Sequence, residues 1–136
     1  MDTSALVAIL LNEPERDGIV ATLLDHRPAI SAGSVIELLR VVQLTLGTQA
    51  MPEAHALLAT YDIEVHSVDE NQIKLAEDGM IRYGAGRGAE PAVLNFGDLF
   101  SYALAKGLGL PLLFKGKDFW RTDIEPIIVP GLKSAP

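Results

Sequence analysis

Short apolar runs alternating with longer stretches of helical periodicity are what most constrain this chain. Ala29 to Ala32, Ile63 to Val68, Leu110 to Phe114 and Ile127 to Val129 are too short for amphipathic helices and read as strands, the last at an edge. Between and around them, Ser4 to Leu11, Pro14 to Asp25, Val35 to Leu46, Pro52 to Tyr61, Asp69 to Tyr83 and Asn95 to Lys106 carry the helical period. Pro14 suits a first helical turn, Asp69 suits a cap, and Gly47 and Gly107 read as helix ends. Strands joined through helices pair in parallel, because a helical crossover returns the chain to the same edge. The expectation is an α/β fold with a central parallel sheet of four to five short strands and helices on both faces. A strand would ordinarily precede Asp2, yet only Met1 does, so a first strand is expected to be very short or to lie before Met1.

With 136 residues, 49% of them apolar, the chain can bury one core. Residues 1–130 read as a single domain and 131–136 as a disordered tail. There is no cysteine, which excludes disulfides, thiolate metal sites and cysteine nucleophiles. No apolar run reaches the length of a membrane span and no signal peptide is visible, so a cytoplasmic protein with no membrane partner is expected. The net charge of −7 is unevenly spread: residues 1–79 hold 4 Lys+Arg against 13 Asp+Glu, and residues 80–136 hold 7 against 5. A polyanion would approach the later part, with Arg82, Arg87, Lys106, Lys115, Lys117 and Arg121, although any one of these could be a solvated surface charge.

Four acids stand beside apolar stretches: Asp2, Glu37, Asp98 and Asp118. A carboxylate is expensive to bury alone. Several become tolerable around a hard divalent cation, which takes oxygen ligands. Ligands of parallel sheets sit beyond the C-terminal strand ends, and the topology brings several of these acids to that edge. Each also has a plainer explanation. Ser34-Val35-Ile36-Glu37 spells a capping box, Asp98 follows the potential cap Asn95 by three residues, and Asp2, Asp118 and Asp123 could serve turns. His26, His55 and His66 show no ligand spacing. Gly84-Ala85-Gly86-Arg87-Gly88 lacks the lysine and strand–loop–helix context of a phosphate loop and reads as a loop carrying Arg87.

The sequence resembles the PIN-domain ribonucleases, in particular the VapC toxins of bacterial toxin–antitoxin pairs. The resemblance lies in Asp2-Thr3-Ser4-Ala5-Leu6, in Ser34-Val35-Ile36-Glu37, in Leu94-Asn95-Phe96-Gly97-Asp98-Leu99, and in Pro111 to Phe119 with Thr122-Asp123. It spans nearly the whole chain. It implies a metal-dependent endoribonuclease using Mg2+ or Mn2+, with Asp2 and Asp98 as principal ligands and Glu37 as a third acid, direct or through water. Many such domains carry an acid where Gly116 stands, so Asp118 is expected to serve as the fourth acid, with Asp123 in support. Ser4 would orient Asp2. Lys115, Lys117, Arg87 and Arg121 would hold RNA. A VapB-like antitoxin and a homodimer are the implied partners, with the apolar faces of the first three helices as interface. The alternative is a PIN-like module that binds RNA or protein without cutting. A receiver-type signalling domain fits less well, since the chain lacks adjacent acids after a first strand and a late Lys-Pro pair.

Overall fold

The computed structural model describes residues 1–84 and 93–129. Helix α1 (Thr3–Leu10) is followed by α2 (Arg16–Asp25), β1 (Ala29–Ser31), α3 (Ala32–Leu46), a 3-10 turn (Thr48–Ala50), α4 (Met51–Thr60), β2 (Glu64–His66), α5 (Glu70–Tyr83) and α6 (Phe96–Leu108). The expectations for Arg87 and for residues 131–136 lie outside the described residues.

β1 and β2 pair in parallel, Ile30 opposite Val65. They are the two strands formed among the described residues, where four to five were expected. Backbone hydrogen bonds nevertheless continue the lateral order beyond β1. The Met1 amino group donates to Ala29 O, Asp2 N donates to Leu113 O at 2.9 Å, and Leu112 bonds Glu125 and Ile127, with a parallel bridge between Leu112 and Pro126. Met1 and Asp2 are thus held by backbone hydrogen bonds between β1 and the Leu112–Phe114 segment.

That segment separates two apolar clusters. Leu113 joins Leu6, Ile9, Ile19, Leu23, Ile30, Leu38, Val42 and Leu57 on one side. Leu112 and Phe114 join Leu94, Leu99, Tyr102, Phe119 and Ile124 on the other. Alternate residues of an extended chain face opposite ways, so helices cover both faces. Leu6, Ile19, Leu38 and Tyr102 are fully buried, each worth about 1.5–3 kcal/mol for a side chain of this kind.

This burial corrects one expectation. Of the apolar residues on the first three helices expected at an interface, Leu6, Ile9, Ile19, Leu23 and Val42 fill the core, Leu10, Leu39 and Leu46 are partly buried against it, and Leu24 is left in solvent. The large apolar side chains left in solvent include Phe96, Ile36, Ile73 and Met80. Helix ends also moved. Ser31, not Ser34, caps α3, its hydroxyl accepting from Gly33 N at 3.2 Å. α6 runs through Gly107 and stops at Gly109, whose left-handed φ of 63° glycine accommodates freely. Asp69 caps α5 as expected. No helix among the described residues is long and apolar enough to cross a membrane.

Candidate active site

Asp2 is the N-cap of α1. Its Oδ2 accepts from Ser4 N at 2.9 Å and Ser4 Oγ at 2.6 Å. Its Oδ1 accepts from Ser101 Oγ at 2.7 Å, and Ser101 Oγ lies 3.2 Å from Ser34 Oγ. Both serines are buried. Each carboxylate oxygen has two lone pairs. Those of Oδ2 are filled, and one on Oδ1 is left. Ser4, expected to orient Asp2, thus donates twice to its carboxylate, and Ser101, which the sequence did not single out, donates once. The signal for it was weak: three residues after Asp98, it shares that acid's helical face.

The early start of α3 decides Glu37. With Ser31 as cap, Glu37 lies beyond the first turn and is not bonded back to Ser34 as a capping box requires. It is half-buried, its Oε2 lying 2.8 Å from Thr3 Oγ1, a hydroxyl also 3.1 Å from Ser34 O. Its carboxylate passes over Gly97, where an added Cβ would meet Glu37 Oε1 at 2.0 Å. Gly97 thus lets Glu37 reach the start of α6, next to Asp98. Asp98 completes the box that its sequence suggested: Asp98 N donates to Asn95 Oδ1 at 3.0 Å and Asn95 N to Asp98 Oδ2 at 2.8 Å.

Capping does not make Asp98 comfortable. Burial pushes its carboxyl up to about 7, against the pull of the Asn95 amide, and Asp2, Asp118 and Glu37 add repulsion. Burial also raises Glu37, opposed by the Thr3 hydrogen bond and reinforced by Asp2. Asp118 is raised by burial and then by Asp2. Asp2, Glu37, Asp98 and Asp118 are therefore electrostatic neighbours, and none takes part in a salt bridge among the described residues. No three described His, Asp or Glu side chains close into a ligand group as they stand. A hard cation that keeps several of its waters needs only one or two carboxylates. The oxygen-only donor set, mutually repelling and with a lone pair left on Asp2, fits such an ion.

The remaining candidates divide. Asp123 lies in a different cluster: its carboxylate accepts from Tyr102 Oη at 3.0 Å, Arg82 at 3.0 Å and Lys106 at 2.9 Å. Burial works against its charge, yet these three hydrogen bonds outweigh it and hold the carboxyl at about 2. Lys115 pairs with Glu13 and, at 3.2 Å, with Glu15. Lys117 and Arg121 are exposed on either side of the Asp118 turn. His26 bonds Thr22 O and His66 approaches Glu64, away from the acids.

The PIN domain profile matches residues 1–125. The chain is 39% identical to VapC ribonuclease Mb0640 of Mycobacterium bovis over 131 residues, which cover 96% of this chain and 98% of the relative. It is 40% identical to ribonuclease VapC42 of Mycobacterium tuberculosis over 128 residues, 93% and 96% of the two chains. Among solved structures, Mycobacterium tuberculosis VapC20, described as a sarcin-ricin loop cleaving toxin, superposes with a TM-score of 0.73 at 16% identity, over 95% of this chain and 97% of that one. A toxin–antitoxin complex from Klebsiella pneumoniae gives 0.62 at 18% identity, over 90% of each. These two likenesses are of fold.

Proposed function

This chain belongs to the PIN-domain family, among the VapC ribonucleases, and from that membership we propose that it is an endoribonuclease, the toxin of a toxin–antitoxin pair restrained by a cognate VapB-like antitoxin. The observation that carries the reading is that Asp2, Glu37 and Asp118 are electrostatic neighbours of Asp98, which sits against the Glu37 carboxylate at Gly97 and is pushed up to about 7 by burial and then by the other three. Asp2 and Asp98 would hold Mg2+ or Mn2+, and Glu37 would complete the site directly or through water. A bound ion of this kind supplies a more acidic water and offsets charge on the attacked phosphate.

The protein's own groups do the rest. Ser4 and Ser101 keep the Asp2 carboxylate from rotating. Glu37, whose carboxyl burial raises from its ordinary value and whose carboxylate lies at the start of α6 beside Asp98, would take a proton from the attacking water, with the exposed Asp118 in support. Lys117 and Arg121 hold the RNA backbone, which positions the substrate without reading its bases. The reading includes the cytoplasm as compartment and a homodimer. Light scattering should then give about twice the 14.6 kDa chain mass; a strict monomer at tens of micromolar removes the dimer from it.

Asp98→Asn tests the function. The amide keeps the size and the capping acceptor and removes the charge. RNA cleavage by the purified protein should disappear with the circular dichroism spectrum unchanged. Retained, metal-dependent cleavage would defeat the assignment of Asp98. Wild-type protein that binds RNA without cutting it under Mg2+ or Mn2+ would instead favour a binding module.

A further inference from the structure

We propose that Lys115 is a positioning residue: with Glu13 it straps both ends of α1 and thereby fixes the Asp2 carboxylate. The inference rests on the reading of Asp2 as a site acid. At the N-terminal end of α1, Lys115 N donates to Ser4 Oγ at 2.9 Å, and that hydroxyl donates to Asp2 Oδ2 at 2.6 Å. At the other end, the Lys115 ammonium donates to Glu13 and lies 3.2 Å from Glu15, just before α2. One residue thus grips an eight-residue helix, about 12 Å long, at both termini.

Both grips are built in. α1 stops with Asn12 in the left-handed region, φ 52°, one of the few non-glycine residues that tolerate it. Asn12 N bonds Ile9 O and Glu13 N bonds Ala8 O, the paired closure of a Schellman cap. This turn fixes where Glu13 leaves the helix. On the other strand of the strap, Phe114 is buried, and Gly116 turns the chain at φ 113°, its carbonyl accepting from Trp120 Nε1 at 3.1 Å. The segment carrying Lys115 is therefore held on both sides. Its ammonium faces two carboxylates, a trio with net negative charge, which is a poor seat for an RNA phosphate. Its backbone amide, by contrast, reaches the site through Ser4.

The test uses Glu13→Gln, Lys115→Met and the conservative Lys115→Arg. In metal-free protein, the amides of Ser4 and Lys115 should exchange hydrogen about tenfold faster in the first two variants, with Tyr102 in α6 unchanged. Mn2+ affinity, read from free Mn2+ by electron paramagnetic resonance, should fall about tenfold, the usual effect of losing a group that orients a ligand. Lys115→Arg should retain both properties. Unchanged exchange at Ser4 and Lys115, or equal acceleration at Tyr102, overturns the strap. So does normal Mn2+ affinity accompanied by a smaller salt dependence of RNA binding, which would return Lys115 to a phosphate contact. Should Lys115→Met fail to fold, the nearly isosteric change Glu13→Gln decides alone. Wild-type protein that cuts no RNA would refute the proposed function while the exchange measurement still judges the strap.

Discussion

At the scale of single residues, the site sets charge against burial. Asp98 has its folded pKa raised above the unfolded value of 3.8 to about 7, chiefly by burial. A raised carboxyl contributes its stability below the unfolded pKa and loses it as pH rises through the folded one. Metal-free protein should therefore lose stability between about pH 4 and 7, and Asp98→Asn should melt higher than wild type at pH 8. A variant that melts lower there would mean the capping carboxylate outweighs the repulsion. Gly97 makes a second, sharper point. Its missing Cβ is the space in which Glu37 Oε1 stands. Gly97→Ala should push Glu37 aside and lower cleavage about a hundredfold, as a misplacement of about 1 Å can. It should leave stability equal or higher, since alanine favours a helix over glycine by about 1 kcal/mol. Gly107→Ala is the control: its Cβ would meet Leu75 Cδ1 at 3.4 Å, an ordinary contact, and cleavage should not change. Equal activity in both variants would remove Glu37 from the site.

At the scale of elements, Asp123 shows what sequence spacing could and could not tell. It follows Asp118 by five residues and reads as a supporting acid, yet its carboxylate fastens the C-terminal segment to α5 through Arg82 and to α6 through Tyr102 and Lys106. Asp123→Ala should cost about 1–3 kcal/mol, mostly by leaving the buried Tyr102 hydroxyl without its acceptor. Its folded pKa of about 2 lies below the ordinary 3.8. A depressed carboxyl stabilises above the unfolded pKa and loses this as pH falls through the folded one. The melting difference between wild type and variant should hold from pH 7 to 4 and shrink toward pH 2; a difference independent of pH would deny the ion pairs a role. The six helices were legible because local periodicity and caps specify them, with Asp69 and Asn95 acting as caps where expected. The start of α3 was not. Ser31 and Ser34 both suit a cap; Ser31 takes the role by accepting from Gly33 N, and the Ser34 hydroxyl lies instead 3.2 Å from Ser101 Oγ on α6. Of the four apolar runs read as strands, two carry β1 and β2, while Leu110 to Phe114 and the chain before Ile127 meet in a single parallel bridge, Leu112 with Pro126, because their pairing extends over too few residues to form a ladder. Distance along the chain hid Ser101 and the Glu13–Lys115 pair, whose partners are about a hundred residues apart.

At the scale of the whole molecule, a chain of net charge −7 must still receive a polyanion. Much of its positive charge is already engaged. Arg82 and Lys106 face Asp78 and Asp123 between them, and Lys115 faces Glu13 and Glu15. Counting the described residues of the later part, this leaves Lys117 and Arg121, exposed and flanking Asp118 in sequence. RNA should therefore enter over the Asp118 turn, which these two cations flank in sequence. Each phosphate contact on a single strand contributes roughly 0.7 to the slope of log affinity against log salt. Lys117→Ala and Arg121→Ala should each reduce that slope by about this amount, weakening binding more at low salt than at high salt. Lys106→Ala should leave it unchanged, because that cation is neutralised by Asp123 before RNA arrives. The measurement is RNA binding by catalytically inactive Asp98→Asn protein across a salt series. An unchanged slope in the Lys117 and Arg121 variants would mean that RNA takes another path to the acids.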